Sequence, residues 1–257
     1  MITFRTTKLI FFICLFVMNM ISLALQILPV LLYVILIVVY LFVSVFFSFY
    51  MRTGFYLTAY CKKGTDDKIL ALTFDDGPDP EITPAILDLL KEKVPATFFC
   101  IGRKIEGNEE ILKRMDAEGH LIGTHSYTHS DWFDLFSSTR MKNEFLRTDQ
   151  KIVEITGKEP LLFRPPYGVI NPLLKKALKS FNYHVIGFSN RAWDTTTKNE
   201  GKILDRLVRK LKPGDVVLLH DSVPQAVPVL KVFLKMIEEK GFTVVSLNKM
   251  FEIRPYV

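Results

Sequence analysis

The chain has 257 residues, a formal net charge of +6 and only three cysteines. Cys14, Cys61 and Cys100 make no disulfide framework and supply too few thiolates for a structural zinc site. Lys and Arg are spread among acids, with no basic stripe interleaved with aromatics, which argues against nucleic acid as a partner.

The first predicted element is apolar. No charged residue lies between Lys8 and Arg52. One helix over Leu9–Tyr50 would measure about 60 Å, twice the roughly 30 Å of a bilayer's hydrocarbon core. A secretory h-region is about 7–15 residues, so a cleaved signal peptide fits badly. Two spans fit better, Leu9–Leu25 and Val30–Phe49, with a turn near Gln26–Pro29. Arg5 and Lys8 precede the first, and Arg52, Lys62 and Lys63 follow the second. The positive-inside rule then puts both ends in the cytoplasm. A single tilted span with the remaining chain outside is the alternative. On either reading residues 1–50 anchor the protein in the cell membrane, with the lipid bilayer as a partner. Arg5 and Lys8 account for two of the six net charges, which leaves +4 on the remainder. Such mild basicity suits an anionic membrane surface or an anionic sugar.

Residues 51–67 read as a juxtamembrane linker and 68–257 as one domain. Seven strand-like runs follow: Ile69–Phe74, Ala96–Ile101, Leu121–Thr124, Leu161–Arg164, His184–Phe188, Val216–Leu219 and Thr243–Leu247. Helical faces lie between them. Ile82, Ile86 and Leu89 share one, as do Met141, Phe145, Thr148, Ile152 and Ile155. Asn171-Pro172 reads as an N-cap with proline at the first helical position. Ile203, Leu204, Leu207, Val208 and Leu211 form a stripe stopped by Pro213-Gly214. Leu230, Phe233, Leu234 and Ile237 form the last, stopped by Gly241. Such alternation predicts parallel strands with helical crossovers. In a barrel the strand ends meet at one mouth, where sites normally lie. An open doubly wound sheet is the competing architecture.

Polar residues gather at those strand ends. Leu70–Asp79 carries an apolar run into Asp75-Asp76 and a Gly-Pro turn. Two adjacent acids there suit binding or turn capping, not core packing. His125 and His129 sit four apart, a spacing that faces both imidazoles one way on a helical turn, able to share a metal. A zinc protease would place glutamate beside the first histidine, but residue 126 is Ser126. The base must come from elsewhere, and the acid pair can supply it. One carboxylate binds the metal while its neighbour takes a proton from water. Adjacent acids diverge, so a sharp turn must bring both into the mouth. Arg164, kept extended by the next proline, can hold a carboxylate ionised. Tyr167 lies in a tight turn where a backbone N–H can face an oxyanion. His220 ends an apolar strand and suits proton transfer, and Asp194 can orient it. His120 reads as a turn residue and His184 as a sheet histidine. Trp193 fits sugar stacking and rim filling equally.

Five blocks together resemble the polysaccharide deacetylase family: Thr73–Asp79, His125–His129, Arg164–Gly168, Arg191–Thr195 and Leu218–Asp221. The likeness runs over Lys68–Leu247 and omits the apolar spans. It implies an α/β fold, a distorted (β/α)7 barrel, behind the N-terminal transmembrane helices. It implies Asp75 as general base and Asp76, His125 and His129 as ligands of one divalent metal, with zinc the first choice. Arg164 would position the base, the Tyr167 N–H would meet the oxyanion, Asp194 would tune His220, and His220 would be the general acid. The implied reaction is hydrolysis of a sugar N-acetyl group to acetate and free amine. Substrates to weigh are an N-acetylated glycan and a lipid-linked amino sugar that is deacetylated or deformylated. A carbohydrate O-acetyl esterase and a non-catalytic glycan-binding protein are the other readings. No G-x-S-x-G or Cys–His arrangement supports a serine or cysteine nucleophile.

Overall fold

The computed structural model describes residues 3–25, 30–90 and 94–257. Helices α1 (Phe4–Leu25) and α2 (Val30–Ser48) come first. At 1.5 Å per residue their 22 and 19 residues span about 33 and 29 Å, and both are long and apolar enough to cross a bilayer. They pair antiparallel. The Tyr33 hydroxyl lies 3.4 Å from Asn19 Oδ1, and the Phe11 and Tyr40 rings are 4.4 Å apart. The expected turn at Gln26–Pro29 lies outside the described residues.

The residues after α2 fold back onto both helices. Ser48 O accepts the Ile170 N–H at 3.0 Å, the Tyr56 hydroxyl donates to Ser44 O at 2.7 Å, and Phe47 stacks on Phe55 at 4.6 Å. The Phe4 N–H donates to Phe55 O at 2.8 Å. Phe55, Tyr56 and Cys61 are buried. Residues 51–63 are therefore packed against the domain, and Tyr60 and Lys62 make bridges to Ile186 and Asp215.

The domain alternates strands and helices: β1 (Ile69–Asp75), α3 (Ile82–Leu90), β2 (Ala96–Cys100), α4 (Gly102–Ile105), α5 (Glu109–Ala117), β3 (Leu121–Thr124), α6 (Ser138–Thr156), β4 (Leu162–Phe163), α7 (Pro172–Leu178), β5 (His184–Val185), β6 (Asn190–Arg191), α8 (Glu200–Arg209), β7 (Asp215–His220), α9 (Ala226–Glu239), β8 (Thr243–Val244) and α10 (Leu247–Phe251). Asn171 caps α7 through the Leu174 N–H, ahead of Pro172. Every strand pairing is parallel, in the order β5-β4-β3-β2-β1-β7-β6, with β8 on β1.

Of the expected distorted (β/α)7 barrel, the α/β fold with its parallel sheet is present as an open, curled half-barrel, with eight strands among the described residues. Among the described residues β5 and β6 form its two ends with no ladder between them. The run expected as one strand over His184–Phe188 breaks after Val185 and resumes as β6, so the chain passes from one edge to the other. Thr243–Leu247 shortens to two residues because Leu247 starts α10.

Parity along the strands sorts the core. Leu70, Leu72 and Phe74 of β1, with Val217 and Leu219 of β7, face the helices α3, α8 and α9. Ala71, Phe99, Leu121, Leu162 and Val216 face the inside of the curl, where Leu247 and Met250 of α10 plug one end. Thr73, Asp75 and His220 continue the inner rows. The inner face is thus apolar at the bottom and polar at the C-terminal mouth. A β1 buried on both faces reads as a continuous apolar run, which is why periodicity found it easily.

Candidate active site

The site occupies the C-terminal ends of β1, β3, β4, β6 and β7, the edge where parallel strands present ligand sites. A pocket of about 180 Å³ is lined there by Asp75, Asp76, His125, His129, Tyr167 and His220, among others.

Asp75 ends β1 and is buried. Arg164 Nη1 donates to its Oδ1 at 2.7 Å and to Thr73 Oγ1 at 2.8 Å. The remaining guanidinium nitrogens reach Ile186 O at 3.3 Å and Gly187 O at 2.9 Å, so this wholly buried arginine is held on all sides. Its guanidinium lies 4.3 Å over the Phe99 ring. Phe99 fits because residue 123 on the next strand is glycine. A Cβ there would come within 2.7 Å of that ring.

Asp76 takes a left-handed conformation, φ 75°. That is the sharp turn needed to aim two adjacent acids into one mouth. Asp76 Oδ1 lies 3.4 Å from His125 Nε2 and 3.2 Å from His129 Nε2. The three ligand atoms fall within 4.8 Å of one another. Burial raises the Asp76 pKa, but the neighbouring imidazoles, His125 ahead of His129 and His220, outweigh it and hold the carboxyl well below the usual range.

The helical turn expected for His125–His129 is absent. The segment is a loop, bent by Ser126 at φ 68° and His129 at φ 47°. Glu144 of α6 holds it, accepting from the Tyr127 N–H at 3.0 Å, the Thr128 N–H at 2.7 Å and the Thr128 hydroxyl at 2.9 Å. The two imidazoles still converge, with ring centroids 5.0 Å apart. His125 Nδ1 faces Arg164 O at 2.8 Å. A carbonyl only accepts, so Nδ1 carries the proton and the Nε2 lone pair faces Asp76. Burial above all pushes His129 down to about 4, which leaves it a neutral ligand at physiological pH.

Asp76 Oδ1 is buried yet accepts no hydrogen bond. Buried carboxylate oxygens are normally paired. An orphan oxygen between two Nε2 lone pairs fits a divalent cation, and this Asp/His cluster is a divalent-metal site.

Opposite stands His220 at the end of β7. Its Nδ1 meets Asp194 Oδ1 at 2.7 Å, and its backbone N–H donates to Asp194 Oδ2 at 2.8 Å. Asp194 is wholly buried, which leaves His220 Nε2 to face the pocket. Burial lowers the His220 pKa, but the Asp194 hydrogen bond and charge, with Asp75 and Asp76, outweigh it and raise the imidazole above its ordinary value.

Tyr167, at φ 58°, lies in a 3-10 turn over Pro166–Gly168. Its N–H belongs to the first turn and has no intrahelical acceptor. Its ring packs on His129 at 4.7 Å, and its hydroxyl donates to Asp131 at 3.2 Å. Trp193 is also left-handed, φ 58°, with the Arg191 guanidinium 4.2 Å over its ring. Five of the six described non-glycine residues with positive φ, namely Asp76, Ser126, His129, Tyr167 and Trp193, therefore ring one mouth. Strain of that kind gathers at functional sites.

Every expected site residue thus meets at this mouth. His120 and His184 stay outside it: His120 Nδ1 accepts the Ala96 N–H at 3.2 Å, and His184 packs edge-on to Tyr60. Sequence reasoning missed Thr73 and Glu144. Glu144 had a legible signal, a carboxylate one turn from Met141 on the buried stripe of α6.

The sequence profile described as polysaccharide deacetylase matches residues 62–186. The chain is 37% identical over 195 residues to a Bacillus cereus peptidoglycan-N-acetylglucosamine deacetylase, covering 74% of this chain and 91% of that one. It is 32% identical over 190 residues to the Listeria monocytogenes deacetylase PgdA, 74% of this chain but only 40% of that one. The crystal structure of the Bc1960 peptidoglycan N-acetylglucosamine deacetylase superposes with a TM-score of 0.71 at 33% identity, covering 76% of this chain and 93% of that one.

Proposed function

This chain belongs to the polysaccharide deacetylase family and is a metal-dependent carbon–nitrogen hydrolase of the carbohydrate N-deacetylase type, and we propose that its substrate is an N-acetylated amino-sugar glycan of the cell envelope. The observation that carries the reading is the orphan Asp76 Oδ1 between two imidazoles, beside an Asp75 that Arg164 locks in place.

Asp76, His125 and His129 would hold the metal, and this donor set suits zinc. When bound, the metal supplies Lewis-acid polarisation of the acyl carbonyl and acidifies water. Asp75 takes the proton of the attacking water. Arg164 donates to that carboxylate and fixes its direction. The Tyr167 N–H donates to the oxygen that gains charge. Asp194 holds the proton on His220 Nδ1, so Nε2 delivers the other proton to the departing nitrogen. An amine leaves poorly without that proton, whereas an alkoxide needs less help. The paired Asp194–His220 therefore favours amide over ester chemistry.

Residues 1–50 serve as a two-span anchor that makes this an integral membrane protein, 51–67 as the juxtamembrane segment and 68–257 as the catalytic domain. The antiparallel pairing of α1 and α2 and their exposed apolar surfaces support this division. The test uses the full chain in detergent, stripped with a chelator and reloaded with zinc. Acetate release from N-acetylated glucosamine oligomers is expected only after reloading. Folded, reloaded protein that releases none from any N-acetylated sugar would overturn the reading.

A further inference from the structure

A second cleft, of about 500 Å³, opens directly beside the catalytic pocket. The two share Tyr167, Gly168, Phe188 and Arg191. Drug-sized ligands fill roughly 300–1,000 Å³. The 180 Å³ pocket suits the reacting end of a substrate, and the larger cleft has room for its body.

The cleft's far wall is the start of the juxtamembrane segment. Phe49 and Tyr50, both exposed, continue straight from α2, and Arg52 follows in a 3-10 turn. Across from them stand Arg191, Trp193 and Lys210. Three cations line the cleft and no carboxylate does. Among the described residues none of the three forms an ion pair with an acid, and Arg191 Nε is buried without a hydrogen-bond partner. Three cations without an acidic partner around one cleft make it electropositive and suited to an anion. Tyr50 and Trp193 at the rim are residue types that favour the membrane–water interface.

We infer that this amino-sugar glycan reaches the site carried on a lipid, its sugar joined through phosphate to a membrane-embedded hydrocarbon chain. The N-acetyl group enters the catalytic pocket, the phosphate sits among Arg52, Arg191 and Lys210, and the hydrocarbon runs along the end of α2 into the bilayer. A phosphate at that depth meets cations at headgroup level, where the low dielectric of the interface strengthens the contact. The inference rests on the deacetylase reading and adds the substrate class.

The experiment uses full-length, zinc-loaded protein in lipid nanodiscs and three substrates: N-acetylglucosaminyl phosphate esterified to a polyisoprenoid alcohol, free N-acetylglucosamine 1-phosphate, and a neutral N-acetylglucosamine oligomer. The lipid-linked sugar should be preferred in kcat/KM by at least tenfold over each of the others. The free sugar phosphate separates phosphate recognition from the hydrocarbon's contribution. In the Arg52→Gln/Lys210→Gln variant, kcat/KM on the lipid-linked sugar should fall about tenfold per lost cation, chiefly through KM, and on the neutral oligomer much less. Equal loss on both, or no preference for the lipid-linked sugar, would overturn the inference while leaving deacetylation standing. Binding is read separately from Trp193 emission in a Trp132→Phe background, with the polyisoprenoid phosphate alone as probe. A response that disappears in the double variant supports the cleft even if no sugar releases acetate, a result that would instead refute the proposed reaction. No response to the phosphate lipid would overturn the cleft.

Discussion

The two flanks of the catalytic pocket are built on opposite terms. On the β7 flank, Asp194 directs one oxygen to the His220 ring and the other to its backbone N–H, so nothing is left over. On the β3 flank, Asp76 keeps a buried oxygen with no donor at all. A closed pair fixes one proton's address. An open one requires a ligand from outside the chain. Asp75 stands between them, tied on one oxygen to Arg164 and with its other oxygen 3.8 Å from His125 Nε2. Two adjacent aspartates thus acquire separate duties from the groups around them, not from a difference in residue type.

The contrast breaks most visibly at Asp75. Asp75→Asn should lower kcat by about 10²–10⁴-fold, the usual yield of a general base, while elemental analysis finds the metal retained. His129→Ala should do the reverse first, emptying the metal before anything else is measured. If Asp75→Asn also lost the metal, the two acids would be one unit and the contrast would fail.

The closed flank is tested by leaving group and by pH. His220→Ala should lose amide hydrolysis by more than tenfold beyond its loss on an activated ester. Equal losses would make His220 structural. His220 acts only while protonated, and its raised pKa keeps the proton above the ordinary imidazole value of about 6.5. Activity should therefore hold through that pH and fall as pH rises through the raised value. Asp194→Asn removes the supporting charge and should move that alkaline limb to lower pH.

The smallest effect expected lies beneath the site. Gly123→Ala pushes a methyl into the Phe99 ring that floors Arg164. Overpacking of this kind costs about 1–3 kcal/mol, readable as a lower thermal midpoint, with a modest fall in kcat as Arg164 shifts. An unchanged midpoint would show that Phe99 can yield.

Much of this was legible in the sequence, for identifiable reasons. β1 and β7 are buried on both faces, so they appear as unbroken apolar runs ending in chemistry. The histidine spacing was informative although its expected helix was not there. Loop geometry at Ser126 and His129 delivers the same convergence by another route. Closure of the sheet was not legible, because β4, β5 and β6 contribute two residues each and leave almost no periodic signal. Glu144 was legible only as an acid one turn from Met141 on the buried stripe of α6, a pattern that does not reveal the loop it holds. The second cleft joins segments more than a hundred residues apart, Arg52 and Arg191, which no local pattern connects.

The docking of Ser44, Ser48, Phe47 and Phe4 onto the folded chain has a mechanical consequence. Under the proposed anchoring, the domain would be bolted to its hairpin at two places instead of trailing from a leash. A leashed domain swivels and samples a hemisphere. A bolted one would present its mouth at one height and one tilt, so under the proposed anchoring its search would be two-dimensional, along the membrane plane.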